Sequence, residues 1–287
     1  MYETFYGLSE KPFALTPDPA YLYLGRRHRQ VLVSLEYALA EASGFALVTG
    51  EVGCGKTTIV RHLLERADRD LNIGLVCNTH ANFGALLPWV MDALGVESAA
   101  GSPSELHRRF VAHLKREHAA GHRSVLVIDE AQNLDVAALE ELRVLSNLNI
   151  GKDVFLQTIL IGQPELRATL RLPALRQFAQ RIAVDHHLES LGRKETHEYV
   201  QHRLSVAGGR SDLISPDAVD LVHEWAAGVP RLVNLVCDTA LVYGFADQTP
   251  TVDSAIVEQV LQDREQGGLL PRPVPASAPP PDPLVVG

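Results

Sequence analysis

The segment Gly50-Glu51-Val52-Gly53-Cys54-Gly55-Lys56-Thr57 constrains this chain more than any other, because it fits the pattern G-x-x-x-x-G-K-[ST]. Glycines at that spacing let a backbone loop close around phosphates with its N–H groups, while the lysine reaches the outermost ones. The flanks have the form such a loop requires. Phe45-Ala46-Leu47-Val48-Thr49 is a short apolar run that reads as a buried strand, and Thr57 to Leu64 has the apolar spacing of a helix. Strand, glycine loop and helix together predict a nucleoside triphosphate site at a helix N-terminus. The competing reading, a glycine-rich turn without a ligand, does not explain these flanks.

The expected binding segment comprises Gly50, Glu51, Val52, Gly53, Cys54, Gly55, Lys56, Thr57 and Thr58. Its backbone N–H groups would hold the β-phosphate, Lys56 would neutralise charge on the β- and γ-phosphates, and the Thr57 hydroxyl would ligate Mg²⁺. The run Val125-Leu126-Val127-Ile128-Asp129-Glu130 supplies the other half: four apolar residues form a strand, with two acids at its carboxyl end. Ligands of open α/β sheets bind at that end. Asp129 would hold Mg²⁺ through its water shell and Glu130 would orient and polarise the attacking water. An acidic pair after a strand also suits a turn or helix start, but beside the glycine loop hydrolysis is the stronger reading.

Phe155 to Ile161 is a further strand, followed by Gly162 and Gln163. An amide there could hydrogen-bond a γ-phosphate or the lytic water, or serve as a turn residue. Arg181 precedes the last strand and Arg231 opens a later helix in Gly228-Val229-Pro230-Arg231. Each could bring positive charge to a γ-phosphate, Arg181 from a neighbouring subunit and Arg231 from its own lid; surface salt bridging is the alternative for both.

Alternation of short apolar strands with amphipathic helices from Phe45 to His187 predicts a mainly parallel α/β sheet covered by helices. The strands are expected at Phe45 to Thr49, Leu71 to Cys77, Val125 to Ile128, Phe155 to Ile161 and Ile182 to Asp185. From Leu191 the strand signals stop, and helices are expected at Lys194 to Ala207, Pro216 to Ala227, Pro230 to Phe245 and Asp253 to about Arg264. The resulting organisation is an arm and helix over 1–44 packed on the core, an α/β domain over 45–190, a helical lid over 191–265 and a disordered proline-rich tail over 266–287.

A formal net charge of −9 gives no overall pull toward nucleic acid or an anionic membrane. Three scattered cysteines, Cys54, Cys77 and Cys237, argue against a disulfide framework and for a reducing, cytoplasmic setting. The N-terminus lacks the regions of a signal peptide, and no window has the uninterrupted apolar length of a membrane span. The histidines show no spacing of a metal set. Cys54 reads as a small residue tolerated in the loop and not as a redox switch, since no resolving cysteine is near it in sequence. Leu139, Leu142, Leu145 and Leu148 form a stripe expected to face the core.

These residues resemble the AAA+ ATPases, specifically the ExeA-like (general secretion pathway protein A) group. The likeness rests on Met1-Tyr2-Glu3, Phe5-Tyr6-Gly7-Leu8, Lys11-Pro12-Phe13, Thr16-Pro17-Asp18-Pro19 and the glycine loop. It rests equally on Asp129-Glu130-Ala131-Gln132, Leu142 to Leu148, Gly162-Gln163-Pro164-Glu165-Leu166 and Gly228 to Asn234, and covers residues 1 to about 265. The resemblance implies an AAA+ P-loop domain with a small all-helical lid, ATP as the nucleotide with Mg²⁺, and ring or partial-ring homo-oligomers. It implies Gln163 as sensor 1, Arg181 or its rival Arg176 as the arginine acting on a neighbour, and Arg231 as sensor 2. The expectation is a short form without the membrane-spanning and peptidoglycan-binding regions of larger members. Such a protein would couple ATP hydrolysis to a cell-envelope secretion, exopolysaccharide export or type IV pilus system, in the cytoplasm or held at the inner membrane through partners. An ATP-switched DNA-binding adaptor, like transposition or replication-loading relatives, is the alternative.

Overall fold

The computed structural model describes residues 1–67, 70–77, 85–99, 101–147 and 154–267; the expected tail beyond residue 267 and Leu148 lie outside them. In chain order the elements begin with α1 (Tyr2–Tyr6), α2 (Arg26–Ala40), β1 (Phe45–Gly50), α3 (Lys56–Glu65), β2 (Leu71–Val76), α4 (Leu86–Ala93), α5 (Pro103–Ala119) and β3 (Arg123–Ile128). They continue with α6 (Val136–Leu145), β4 (Leu156–Gly162), α7 (Pro164–Leu170), α8 (Arg176–Ala179) and β5 (Ile182–Leu188). Four helices complete the chain: α9 (Arg193–Val206), α10 (Pro216–Ala226), α11 (Pro230–Ala246) and α12 (Ser254–Gly267). Pro at the first position of α5, α7, α10 and α11 suits helix starts, where its missing N–H costs nothing.

The described residues divide into two compact units, one within Pro17–Glu189 and one of Met1–Thr16 with residues 190–267. The first is an α/β unit. Its five strands are all parallel, in the order β2-β3-β4-β1-β5. Side chains alternate across the central strands, so both faces carry a core. Phe45, Leu47, Leu126, Ile128, Leu156 and Leu160 pack with α4, α5 and α6 residues such as Met91, Phe110 and Leu142. Ala46, Val48, Val125, Val127, Ile159 and Ile161 pack with α2 and α3 through Val31, Leu35, Ile59 and Leu63. Burial on both faces is why these strands read as unbroken apolar runs. β5, at the edge, alternates between half-buried and exposed positions instead. Leu139, Leu142 and Leu145 face the core of α6 as expected.

The second unit is helical and includes the start of the chain. Residues 1–16 of the arm cluster with α9 to α12, and the α/β unit begins at Pro17. The physical reason lies in a buried polar cluster. Arg203, 7% exposed, donates through Nε to Pro12 O and through its other nitrogens to Tyr199 Oη at 3.0 Å and Ala14 O at 3.5 Å. Tyr199 donates in turn to Asn234 Oδ1 at 2.8 Å. Tyr2 donates to Asp238, Phe5 stands edge-on to Phe245 with centroids 5.5 Å apart, and Ser9 N–H donates to Ala207 O at 2.9 Å. Among the described residues, no helix is long and apolar enough to cross a membrane.

Candidate nucleotide site at the carboxyl edge of the sheet

β1 delivers the glycine loop and β3 delivers the two acids, but these strands are not neighbours: β4 runs between them. The residue that follows β4, Gln163, therefore emerges between loop and acids, a placement decided by strand order.

The loop's shape depends on its glycines. Gly53 and Gly55 have φ of 84° and 92°, left-handed conformations that other residues adopt with strain. A Cβ on Gly50 would lie 2.4 Å from Leu188 O, so only glycine lets β1 pass β5 at this point. Gly55 is the N-cap of α3 and has no side chain to satisfy the first amides of that helix, so the start of α3 offers N–H donors and the positive end of its dipole. This donor set suits phosphate oxygens.

Lys56 is 8% exposed, and its Nζ donates to Gly50 O at 2.7 Å and Glu51 O at 2.8 Å. Burial pulls its pKa below that of an ordinary lysine, while the acidic groups Cys54, Glu130, Asp129 and Glu51 act the other way. Thr57 Oγ1 donates to Asp129 Oδ2 at 2.9 Å, and Glu130 N–H donates to Asp129 Oδ1 at 2.9 Å. A hydroxyl and a carboxylate thus meet across 72 residues of chain. Hard oxygen donors of this kind fit Mg²⁺. Glu130 itself has φ 54°, a left-handed conformation uncommon outside glycine, asparagine and aspartate and shared here by Ala42, Ala227 and Gln248. Gln163 Nε2 lies 3.4 Å from Glu130 Oε2.

The arginines are placed differently. Phe45 pairs with Ile182, so Arg181 stands at the amino end of β1, while the glycine loop leaves its carboxyl end. The six residues of β1 lie between them, about 20 Å at ~3.3 Å per residue. Arg181 lines a cavity of about 280 Å³ with Gly44, Phe45, Ser146 and Val154. Arg176 is exposed at the start of α8, and Arg231 is exposed in the first turn of α11 in the helical unit.

Comparison with known proteins agrees with this geometry. Residues 40–170 match the family described as AAA domain. The chain is 42% identical over 247 residues to general secretion pathway protein A of Aeromonas hydrophila, which covers 86% of this chain and 45% of that protein. The chain belongs to the AAA+ family and is ExeA-like. It spans about half the length of the curated relative it matches. Among solved structures, ORC2 of Aeropyrum pernix aligns with a TM-score of 0.67 at 17% identity over 89% of this chain and 72% of that one. Cdc6p from Pyrobaculum aerophilum gives 0.66 at 16% over 86% and 71%. ORC1 of Aeropyrum pernix, solved in complex with DNA, gives 0.67 at 18% over 90% and 70%. These likenesses show the AAA+ P-loop fold.

Four residues of this AAA+ site were given no role by sequence reasoning. His28, 5% exposed on α2, places Nε2 3.2 Å from Cys54 O; a carbonyl only accepts, so Nε2 carries the proton. Arg167 on α7 donates through Nε to Thr49 Oγ1 at 2.7 Å and pairs with Asp185. His187 Nδ1 lies 3.1 Å from the same hydroxyl, and burial first, then Arg167, holds its pKa down. Gln132 contacts both Glu130 and Gln163. His28 and Arg167 carry no motif that would reveal them, whereas Gln132 stands two residues after the catalytic candidate. Cys54 is fully buried, which suits a packing residue of the loop better than a reactive thiol.

Proposed function

We propose that this ExeA-like AAA+ protein is a Mg²⁺-dependent ATPase. The observation that carries the reading is the 2.9 Å contact between Thr57 Oγ1 and Asp129 Oδ2, which joins glycine loop and acidic strand into one site. Gly50 to Thr58 receive the triphosphate on backbone N–H groups, and Lys56 supplies a largely desolvated positive charge for its β- and γ-phosphates. Thr57 and Asp129 hold Mg²⁺, which when bound neutralises phosphate charge. Glu130 orients the water that attacks the γ-phosphorus and takes its proton, and Gln163 fixes the same water or a γ-phosphate oxygen. Arg181, at the far end of its own β1, serves the γ-phosphate of a neighbouring copy in a ring or partial ring; Arg176 is its rival. Arg231, from the helical lid, serves the site of its own chain.

In this reading the ATPase cycle assembles or remodels a cell-envelope secretion, exopolysaccharide export or type IV pilus system. The protein works in the cytoplasm, held at the inner membrane through partners. The relationship to general secretion pathway protein A supports this assignment. A DNA-bound adaptor is the second reading, favoured by the likeness to an ORC1 protein solved with DNA.

The decisive experiment is steady-state ATP hydrolysis by wild type and Glu130→Gln over a range of protein concentrations. The expected result is specific activity that climbs with concentration and falls at least ~100-fold in the variant, with ATP binding retained. Equal turnover in both proteins refutes the role of Glu130. Absence of turnover together with ATP-dependent, salt-sensitive retention of duplex DNA supports the adaptor reading instead.

A further inference from the structure

We infer that Gln132 is a positioning residue that clamps Glu130 to the end of β4, so that Glu130 and Gln163 act on the reacting water as one unit. This rests on the catalytic reading of Glu130 above and adds a residue to it.

The argument begins with hydrogen-bond chemistry. The Gln163 backbone N–H donates to Gln132 Oε1 at 3.0 Å. A backbone N–H is a donor only, so the Gln132 atom facing it must be the carbonyl oxygen, which fixes the otherwise ambiguous amide orientation. Nε2 of the same amide then faces Glu130 Oε2, a carboxylate oxygen that needs a donor, at 2.5 Å. Both ends of the side chain are thus matched independently. The Gln163 side-chain amide approaches the same oxygen at 3.4 Å, closing a ring of Glu130, Gln132 and Gln163.

Packing holds that ring in place. A Cβ on Gly162 would come within 2.8 Å of Leu166 and 3.1 Å of Gln132 Oε1, so glycine at the end of β4 leaves the room that Gln132 occupies. Ala131 is fully buried and starts the short turn Ala131–Asn133, which carries Gln132 back toward the strand. Glu130 sits at φ 54°, a conformation that costs free energy and needs outside support. Gln132 supplies it through a charge-assisted hydrogen bond to the carboxylate. A side chain that hydrolysis requires is therefore fixed by the strand that carries its companion amide, and a displacement at Gln163 is passed to Glu130 without contact with nucleotide.

The test is a double-mutant cycle on the full chain, with Gln132→Ala, Gln163→Ala and the pair, reading ATP affinity and kcat separately. Gln132→Met serves as a second variant of similar volume that removes the amide. The expected result is a fall in kcat of about 10- to 100-fold for Gln132→Ala and Gln132→Met, with ATP affinity within about twofold of wild type. The double variant is expected within about threefold of the slower single variant, because both residues act through one oxygen. Unchanged kcat overturns the inference. So do ATP affinity and kcat that fall together, which mark a merely structural role, and so do losses that multiply in the double variant. Turnover by Glu130→Gln equal to wild type defeats the underlying catalytic reading, an outcome separate from any result at Gln132.

Discussion

The two units each bury a cation, and they use it in opposite ways. In the helical unit Arg203 donates to two backbone carbonyls and a tyrosine hydroxyl, and its partners come from α9 and from the arm it ties down. In the α/β unit Lys56 leans on the carbonyls of Gly50 and Glu51, but three carboxylates also act on it and burial depresses its pKa. Burial of a charged group thus does not distinguish a staple from a site. The surroundings do: fixed neutral acceptors make a staple, whereas titratable groups of opposite sign, glycine turns and an αL acid make a site.

Replacing the two cations separates these roles. Lys56→Ala is expected to give the largest effect, a loss of ATP affinity of about 100-fold, corresponding to a charge-assisted contact of ~3 kcal/mol, with the melting temperature little changed. Isothermal titration with ATP checks it. Arg203→Ala is expected to do the reverse. It should destabilise the helical unit by ~3 kcal/mol, because the Pro12 carbonyl and the Tyr199 hydroxyl lose the Arg203 donor and Ala14 O keeps only Asn234 Nδ2, while ATP affinity of the folded protein holds. Urea unfolding followed by Trp225 fluorescence reads this change, and an unshifted midpoint would erase the contrast between the two cations.

The smallest effect concerns pH. His113 and His187 in the α/β unit have pKa values lowered chiefly by burial, as does His223 in the helical unit. A base with a depressed folded pKa binds fewer protons folded than unfolded, so acidification favours the unfolded chain. Stability should therefore fall as pH drops through about 6.5 toward the folded values. His113→Gln should flatten the dependence of the α/β unit between pH 7 and pH 5.5 in thermal melts.

Much of the α/β unit was legible because its physics is local. Strands buried on both faces must be apolar throughout, so Phe45 to Thr49 and Val125 to Ile128 announced themselves, and the glycine loop carried its own chemistry. The helices of the second unit were legible for the same reason, through their periodicity and their starting prolines. The partners of the arm were not. Tyr2, Tyr6 and Phe13 say that the arm is packed, but nothing in their order says against which unit.

Sequence by itself determined the glycine loop, the acidic pair and the five strands, because each depends on residues adjacent in the chain. Only the tertiary structure decided what lies beside what. Strand order put β4 between β1 and β3, and so brought Gln163 and Gln132 onto Glu130. Parallel pairing of β1 with β5 sent Arg181 to the opposite edge of the sheet. Packing of Arg203 assigned the first 16 residues to the helical unit. Contacts between distant segments follow from how whole faces are buried together, and no local pattern of side chains encodes that choice.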